Sequence, residues 1–391
     1  MFPNNCNSSN EKRGSIFVSG TDGDKGVILV QQLLQLPEQY KHLTHKTVYA
    51  GLPDSTTPRA RSLEGLGAKV VAFDVLNDHK AAFKALSNVS KLCLLIDPLS
   101  ERMQRSNAYL FGKALNLILP HSFIDAAKDA QVEHVIFLTP FTPLDPVKSI
   151  TVNKQKHYSD DTTHTLPYNS YRTQFMLIES YLQSQFDHNR ITILRYPGLL
   201  HQHLLVFSKY IAQHNAFPLP HQHLEITVES CNMIDIARAT AFVAHSPTLR
   251  HSKNTYKISS GLLTLEEMSH RVLIGGLQKR NCTINTMDMI ELQKILSESV
   301  GNEDHAMFLM EMWGLPVVHN YNSCGSRRLE MTRDLEALTG QSGKTLNEYF
   351  EEDGVRDAFL SHHSVTAATA SVVTNPNSSQ NESSAATVIR T

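Results

Sequence analysis

The sequence predicts an α/β fold, a Rossmann-type doubly wound parallel sheet that carries a small C-terminal α/β lobe. Six short apolar runs alternate with segments of helical periodicity between residues 15 and 195, which is the pattern of parallel strands joined by crossover helices. The first run leads through a glycine-rich turn directly into a helix. Beyond Pro197-Gly198 the alternation becomes less regular, and this change predicts the second, smaller lobe.

The elements of the first half follow from apolar runs of strand length and from apolar residues at helical spacing. The predicted strands cover residues 15–18, 47–50, 69–74, 91–96, 134–139 and 191–195. Helices are predicted after residue 26 and at 59–66, 78–87, 104–131 and 168–186, with an irregular loop at 140–166. Phe175, Ile178 and Leu182 share one face of the last of these helices, so that face should pack on the core.

The C-terminal half is predicted to be mainly helical. Thr264 and Glu267 have the spacing of a capping box at the start of one helix. The predicted elements are helices at 199–213, 233–245, 264–274, 288–299, 303–312 and 329–338, a strand at 256–258, and a turn rich in proline and histidine at 217–223.

These elements divide the chain into a Rossmann domain at 14–198 and a C-terminal lobe at 199–361 that is interleaved with it. The ends of the chain, residues 1–13 and 362–391, are polar and rich in small residues. Segments of that composition cannot bury enough apolar surface to order themselves, and disordered tails are expected there.

The composition excludes several classes of partner. The formal net charge of the 391 residues is −2, which argues against direct binding of nucleic acid. No apolar run approaches the roughly 20 residues that span a bilayer, and the polar start lacks the apolar core of a signal peptide. The five cysteines lie far apart without Cys-x-x-Cys spacing, which favours reduced thiols. We therefore expect a cytoplasmic protein, with the nucleus as a further compartment.

The turn after the first strand has the glycine spacing of a phosphate-binding loop. Gly20, Gly23 and Gly26 form the pattern Gly-x-x-Gly-x-x-Gly. Gly20 permits a tight turn, Gly23 lets a pyrophosphate approach the backbone, and Gly26 lets the helix pack closely on the strand. The N–H groups and the dipole at the helix start favour a bound anion. The other turn residues predicted to contact a dinucleotide are Asp22, Asp24 and Lys25, and the alternative is an ordinary strand–helix turn.

Short motifs occur in a fixed order along most of the chain, between residues 15 and 350. They are Val18-Ser19-Gly20-x-x-Gly23-x-x-Gly26, Leu66-Gly67-Ala68-Lys69-Val70-Val71-x-x-Asp74, Phe123-Ile124-Asp125-Ala126-Ala127-Lys128 with Val132-Glu133-His134-Val135-Ile136, Ile193-Leu194-Arg195-Tyr196-Pro197-Gly198, Met233-x-Asp235-Ile236-Ala237, and Leu338-Thr339-Gly340 with Thr345-Leu346-Asn347-Glu348-Tyr349-Phe350. This set resembles the NmrA-like branch of the atypical short-chain dehydrogenase/reductases. The resemblance implies a C-terminal lobe that closes over a cofactor and a substrate cleft.

The end of the second strand bears on the choice of dinucleotide. A carboxylate there would bond the ribose hydroxyls of NAD(H), but the strand ends Tyr49-Ala50-Gly51-Leu52. Donors suited to a 2′-phosphate follow. They are Ser55, Thr56, Thr57, Arg59 and Arg61, after Asp54. NADP(H) is therefore favoured over NAD(H), and the alternative is that both arginines are solvated residues at a helix start.

The resemblance assigns further residues to the cofactor. It implies that Asp74 lies near the adenine amino group, and the alternative for this residue is a turn after a strand. It also implies that Ile96, Asp97 and Pro98 line the nicotinamide ribose side. Thr139 stands after the fifth strand, at a position that is often serine in active enzymes of the superfamily.

The superfamily's catalytic pair, Tyr-x-x-x-Lys, is incomplete. Counting back from Glu179-Ser180-Tyr181 puts the tyrosine at Tyr171 and the lysine at Phe175. Phenylalanine cannot hold a ribose or polarise a phenol, so the Tyr171 phenol should keep its usual pKa of about 10. A second register, Tyr168 with Arg172, retains a cation, although a guanidinium is not equivalent to an ammonium.

Two functions follow from these residues. The first is an NAD(P)(H)-binding redox sensor or regulator that contacts a regulatory protein and has no useful turnover. The second is an NADPH-dependent oxidoreductase that reduces a small activated acceptor such as a quinone, and a structural role without a nucleotide is a third alternative. No metal is expected, because the pairs His201-Gln202-His203 and His221-Gln222-His223 have a spacing that does not converge on a helix. These histidines should lie at the surface or beside the site, and His201 could line a substrate cleft.

Overall fold

The computed structural model describes residues 14–35, 47–73, 79–98, 100, 119–140, 171–221, 224–276, 283–315, 331–352 and 354–360. Several predictions fall outside these ranges. They concern both predicted tails, Asp74, Tyr168, the irregular loop beyond residue 140, the start of the helix predicted at 104–131 and the pair His221-Gln222-His223 beyond its first residue.

The centre of the molecule is a sheet of seven parallel strands. Its strands are β1 (Ser15–Val18), β2 (Thr47–Leu52), β3 (Lys69–Ala72), β4 (Lys91–Leu95), β5 (His134–Thr139), β6 (Ile191–Arg195) and β10 (Thr255–Lys257). They lie in the order β10-β6-β5-β4-β1-β2-β3. All six strands predicted for the first half are confirmed, and the C-terminal half supplies the seventh.

Side chains of the central strands alternate between two apolar cores. Phe17 of β1 faces one core, whereas its neighbours Ile16 and Val18 face the other. This is the period-two alternation of a strand that is buried on both faces. Consequently the parallel sheet is covered by helices on both sides, as the Rossmann-type prediction requires.

The helices that cover the sheet agree with the predicted ones within a few residues where the structure describes them. They are α1 (Asp24–Leu34), α2 (Pro58–Gly65), α3 (His79–Leu86), α4 (Leu119–Asp129), α5 (Tyr171–Gln185), and, further along the chain, α7 (Met233–His245). The predicted core face of α5 is confirmed, because Phe175, Ile178 and Leu182 are all buried. No helix among the described residues is long and apolar enough to cross a membrane.

The C-terminal half contains more strand than the sequence predicts. Residues 199–207 were expected to begin an α-helix, but they form β7 (Leu199–Leu200) and a 3₁₀ helix (His201–Phe207), and only α6 (Ser208–His214) is α-helical. Most of the expected turn at 217–223 is strand β8 (Ala216–Pro220), which pairs with β12 (Thr283–Met287). Strand β9 (Thr227–Cys231) was missed, and it pairs with β7 and with β11 (Gly261–Thr264). These strands are short, and long-range pairing overrides their local propensity.

The other helices of the C-terminal half were predicted at 264–274, 288–299, 303–312 and 329–338, whereas those at Thr248–His251, Leu346–Glu351 and Val355–Leu360 were missed. Thr264 and Glu267 form the expected capping box, with both reciprocal hydrogen bonds present. The helices are α8 (Thr248–His251), α9 (Leu265–Arg271) with a π-helical turn (Val272–Gly276) after it, α10 (Met289–Val300), α11 (Glu303–Met312), α12 (Asp334–Thr339), α13 (Leu346–Glu351) and α14 (Val355–Leu360).

Polar contacts bind the C-terminal half to the central sheet. Lys257 of β10 forms an ion pair with the buried Glu229 of β9, and its backbone N–H donates to the Asp334 carboxylate of α12 at 2.7 Å. His245 at the end of α7 contacts the Leu33 carbonyl of α1 at 2.9 Å. The two halves of the chain therefore share one sheet and pack directly on each other.

Gly198 lets α11 approach the end of β6. A Cβ at this position would lie well inside van der Waals contact with the carbonyl oxygen of Met312, the last residue of α11. The neighbour is a backbone atom, which cannot move aside as a flexible side chain can. The Pro-Gly motif that resembles the NmrA-like proteins is thus also a packing requirement.

We expect Gly198→Ala to lower the free energy of unfolding by about 2–3 kcal/mol, the cost of overpacking a fixed backbone contact. Gly65→Ala at the end of α2 is the matched control, because a Cβ there meets nothing within 4 Å. The control should leave stability unchanged or raise it by about 0.5–1 kcal/mol through the unfolded state. Urea denaturation followed by circular dichroism measures both, and equal stabilities would contradict the role of Gly198.

Candidate functional site

The candidate site lies where the strand order reverses. After β1 the chain builds β2 and β3 on one side, whereas β4, β5 and β6 extend the sheet on the other side. The loops after β1 and β4 therefore leave the sheet in opposite directions and open a crevice at the carboxyl ends of these strands. The predicted glycine turn follows β1 and stands at this crevice.

Gly20 and Gly26 stand where the backbone leaves no room for a side chain, as the sequence predicts. Gly20 has a φ of +67°, and a Cβ there would come within 2.7 Å of the Leu95 carbonyl oxygen. A Cβ at Gly26 would collide with the Gly20 carbonyl, because α1 packs tightly against the turn. Gly23 is the N-cap of α1 and supplies no side-chain cap. The N–H groups and the dipole at the start of a helix favour an anion at this end.

Hydrogen bonds fix the turn against its neighbouring strands. The Ser19 hydroxyl donates to the Leu95 carbonyl at 2.9 Å and accepts from the Leu95 N–H at the same distance. The Thr21 hydroxyl donates to the Gly51 carbonyl of β2 at 2.7 Å. The turn is therefore held between β4 and β2 by buried polar contacts, which gives it one defined shape.

Each of two cations at the turn is paired with a carboxylate. Lys25 Nζ lies 2.9 Å from Asp97 Oδ1, and less than a tenth of either side chain is exposed. Arg59 Nη2 of α2 lies 3.0 Å from Asp24 Oδ1 in a partly exposed pair. Asp97, which the resemblance placed at the nicotinamide ribose, thus also contacts the phosphate turn.

Asp22 adds a third carboxylate beside the turn. It is half-buried, and this burial raises the pKa of its carboxyl group above the usual value. The negative charge of Asp97 raises that pKa further, whereas a hydrogen bond with the Ser100 side chain opposes the shift. The field of Asp97 therefore reaches across the glycine turn.

The other predicted cofactor residues lie on α2, in the loop after β4 and at the end of β5. Arg61 of α2 is exposed, whereas Arg59 points toward the turn through its pair with Asp24. Ile96 is half-buried and Pro98 is buried, in the loop after β4. Thr139 at the end of β5 is fully buried, and its hydroxyl has no hydrogen-bond partner among the described residues.

Helix α11 covers the end of α5 that carries Tyr171. The Tyr171 hydroxyl donates to the Asp304 carbonyl at 3.3 Å, and its ring packs on Phe308 with centroids 4.8 Å apart. The Glu311 carboxylate accepts the backbone N–H groups of Tyr171 and Arg172 at 3.0 and 2.8 Å. Glu311 therefore caps the first turn of α5.

The expected ordinary pKa of Tyr171 is wrong. Burial raises the pKa of the phenol well above its usual value, and the charges of Asp304 and Glu311 raise it further. Phe175, one turn along α5, is fully buried and packs on Phe137 of β5. Since α11 is distant in sequence from α5, no local pattern could have predicted that α11 covers this end of α5.

The predicted histidines divide between the surface and the interior of the C-terminal half, and His221 is exposed as expected. His201 and His203 are buried rather than at the surface. Burial lowers the pKa of each to about 3, and the charge of Lys25 contributes at His203. His201 packs on Tyr349, with ring centroids 5.6 Å apart. Within the described ranges, no group of three or more potential ligand side chains could hold a metal ion.

His305 of α11 is a neighbour of the site that sequence reasoning missed. It is buried, and its ring donates to the Pro98 carbonyl in the loop after β4. Burial lowers the pKa of its imidazole. The helix itself was predicted, but its packing against this loop depends on tertiary contacts.

The backbone of the turn fits a dinucleotide phosphate, whereas part of its charge opposes one. The glycine turn and the uncapped start of α1 are suited to an anion. Lys25 and Arg59 supply two cations, but the carboxylates of Asp22, Asp24 and Asp97 surround the same turn. A phosphate at this turn would therefore share these cations with carboxylates or replace the carboxylates as their partners.

Comparison with known proteins supports the fold. No family model and no curated protein matches the sequence. The chain is similar to the solved structure of a Citrobacter triphenylmethane reductase complexed with NADP(H), with 19% identity, 86% of this chain and 99% of that one covered, and a TM-score of 0.62. An NADPH-dependent quinone oxidoreductase from Escherichia coli is also 19% identical, over 86% and 98% of the two chains, with a TM-score of 0.58.

A mutant NmrA has the same fold, with 12% identity, 88% of this chain and 95% of that one covered, and a TM-score of 0.55. At such identities the similarity concerns the fold alone. The predicted Rossmann-type α/β fold is therefore confirmed, and the resemblance to NmrA-like proteins holds at the level of the fold.

Proposed function

We propose that this protein belongs to the NmrA-like group, binds NADP(H) at the glycine turn, and acts as a redox sensor or regulator without useful dehydrogenase turnover. The observation that carries the regulatory part is the state of the Tyr171 phenol. Its hydroxyl donates to a backbone carbonyl of α11, and burial raises its pKa. A phenol held in this way is a poor proton donor at neutral pH.

The residue one turn after Tyr171 supports the same proposal. Phe175 stands where the superfamily has a lysine, and it is fully buried in the core. It can neither hold the cofactor ribose nor lower the pKa of the phenol. The two residues of the usual catalytic pair thus serve packing and helix contacts.

The cofactor proposal rests on the turn and on Arg59. The N–H groups at the start of α1 would bind the pyrophosphate, with Lys25 as a cation. Arg59 lies beside the turn and would contact a 2′-phosphate. Strand β2 ends without a carboxylate that could bind the ribose hydroxyls of NAD(H). The similar reductase and quinone oxidoreductase are described with NADP(H) and NADPH, which supports NADP(H) over NAD(H).

A second candidate function is reduction of a small activated acceptor such as a quinone. The reductase and the quinone oxidoreductase of the same fold favour it, and so does the buried Thr139 hydroxyl at the end of β5. A bound NADPH would supply the hydride. Thr139 would then orient the acceptor, and water would supply a proton where one is needed.

The two candidates differ in the partner that reads the cofactor. A sensor would contact a regulatory protein, whereas a reductase would need only a small-molecule substrate. Neither requires direct contact with nucleic acid or a membrane. We place both activities in the cytoplasm, and the sensor also in the nucleus, from the reduced cysteines that the sequence predicts.

We expect Gly23→Val to abolish NADPH binding, because its side chain would fill the space that the pyrophosphate needs. The nearest atom to a Cβ here is Asp97 Oδ2, at 2.5 Å, which is the end of a side chain and can move. The variant should therefore still fold, as its circular dichroism and melting temperature will establish. Binding is measured by NADPH fluorescence titration, and an affinity equal to that of the parent would remove the turn from the site.

We expect Arg59→Ala to weaken NADP(H) binding at least tenfold and to leave NAD(H) binding unchanged, since one charge-assisted contact contributes about 1.5–3 kcal/mol. Arg61→Ala is the matched control, because Arg61 is exposed on the same helix. It should change neither affinity by more than about twofold, a loss below about 0.5 kcal/mol. Isothermal titration of the parent and both variants with each cofactor gives the six dissociation constants. Equal weakening of both cofactors by Arg59→Ala would contradict a 2′-phosphate contact.

We expect the parent to oxidise NADPH very slowly with a panel of quinones and a triphenylmethane dye, and Tyr171→Phe to change that rate by less than about twofold. Tyr181→Phe is the control, because it removes a hydroxyl from the same helix. The Tyr181 hydroxyl donates to Asp125 Oδ1 at 2.6 Å. The rates follow from absorbance at the NADPH band. A loss of about a hundredfold or more in Tyr171→Phe, with NADPH binding intact, would identify a proton donor and refute the sensor proposal.

A further inference from the structure

We infer that the Asp97 carboxylate occupies the place of a cofactor phosphate, and that NADP(H) binds by displacing it from Gly23 and taking Lys25 as its own partner. This inference rests on the proposed cofactor binding and adds a competitor that is built into the chain. Asp97 would then set how much dinucleotide is needed to fill the site.

The first argument is the position of the carboxylate. Three side-chain atoms of Asp97, namely Oδ2, Cγ and Cβ, lie 2.5, 3.1 and 3.2 Å from the place that a Cβ on Gly23 would take. The space beside Gly23 is the space that a glycine at this position leaves for a pyrophosphate. An anionic group of the protein already fills it.

The second argument is the partner of this carboxylate. Lys25 belongs to α1, immediately after the phosphate turn, and its ammonium lies 2.9 Å from Asp97 Oδ1. Both side chains are more than nine-tenths buried. In this environment a buried cation must keep an anionic partner. A phosphate that enters can satisfy Lys25, and the pair is thus exchangeable for a different anion.

The third argument is the charge that the exchange leaves behind. Asp97 and Asp22 already repel each other across the turn, and this repulsion raises the pKa of Asp22. A phosphate at Gly23 adds a third anion to this pair, and like charges at close range oppose binding. If Asp97 competes with the phosphate for this place, removal of its charge should strengthen NADP(H) binding.

An opposite role for Asp97 makes the opposite prediction. A carboxylate in the loop after β4 could instead accept hydrogen bonds from the nicotinamide ribose, as the position implies in a Rossmann fold. In that case its replacement by asparagine would weaken binding, because a charge-assisted hydrogen bond would become a neutral one. The sign of the effect therefore separates a competitor from a ligand.

The test is NADPH titration of the full chain by fluorescence, with Asp97→Asn, Lys25→Gln and the double variant Lys25→Gln/Asp97→Asn. We expect Asp97→Asn to bind NADPH at least tenfold more tightly than the parent, and Lys25→Gln at least tenfold more weakly. Asp187→Asn is the matched control, because Asp187 is exposed before β6 at the opposite end of the sheet. It should change the affinity by less than twofold.

The double variant keeps the inference testable if Asp97→Asn does not fold. Asp97→Asn leaves a buried ammonium without its anion, whereas the double variant keeps a neutral amide pair of similar shape. We expect the double variant to bind NADPH more tightly than Lys25→Gln alone, whatever the stability of Asp97→Asn. Melting temperatures identify any variant that does not fold.

The outcomes separate this inference from the proposed function. One outcome is that the parent binds NADPH while Asp97→Asn binds no more tightly than the parent and the double variant no more tightly than Lys25→Gln. That result would refute Asp97 as a competitor and leave the cofactor proposal standing. If the parent binds weakly and Asp97→Asn binds tightly, both are supported. If neither the parent nor any variant binds NADPH at millimolar concentration, both are refuted.

Discussion

The candidate site depends on how closely the first helix approaches the sheet at the glycine turn. Gly26 brings α1 onto the Gly20 carbonyl, and Gly20 brings the turn onto the Leu95 carbonyl of β4. Ser19 then fixes the turn to β4 through two hydrogen bonds with Leu95. Because these contacts involve backbone atoms, a larger residue at Gly20 or Gly26 would separate α1 from the sheet. The same tight approach brings Asp97 after β4 against Gly23 at the start of α1.

The centre of the sheet could be predicted from the sequence, because β1, β4 and β5 are apolar runs of strand length that are buried along their whole length. The C-terminal half was less predictable. Ala216–Pro220 contains two prolines and reads locally as a turn, yet it pairs with Thr283–Met287 some 60 residues later. Only the three-dimensional arrangement supplies that partner, and no local pattern encodes it.

The candidate site shows the same division between local and distant information. The glycine spacing is visible in the sequence, and so is Phe175 at the position where the resemblance would place a lysine. The capping of α5 by Glu311 and the contact of His305 with the loop after β4 are not, because α11 lies far along the chain. The raised pKa of Tyr171 has the same origin, because the phenol is buried and α11 adds the charges of Asp304 and Glu311. No motif around Tyr171 in the sequence could indicate this shift.

The affinity of the turn for a dinucleotide phosphate depends on the ion pairs that its cations already form. Lys25 and Arg59 have carboxylate partners before any ligand arrives. Under the exchange that we propose, the free energy of binding is the difference between the attraction of these cations for the phosphate and their attraction for the carboxylates that it replaces. It is therefore smaller than the phosphate interactions alone suggest. The buried pair contributes most to this difference, because desolvated charges interact strongly, whereas the partly exposed Arg59–Asp24 pair is screened by water.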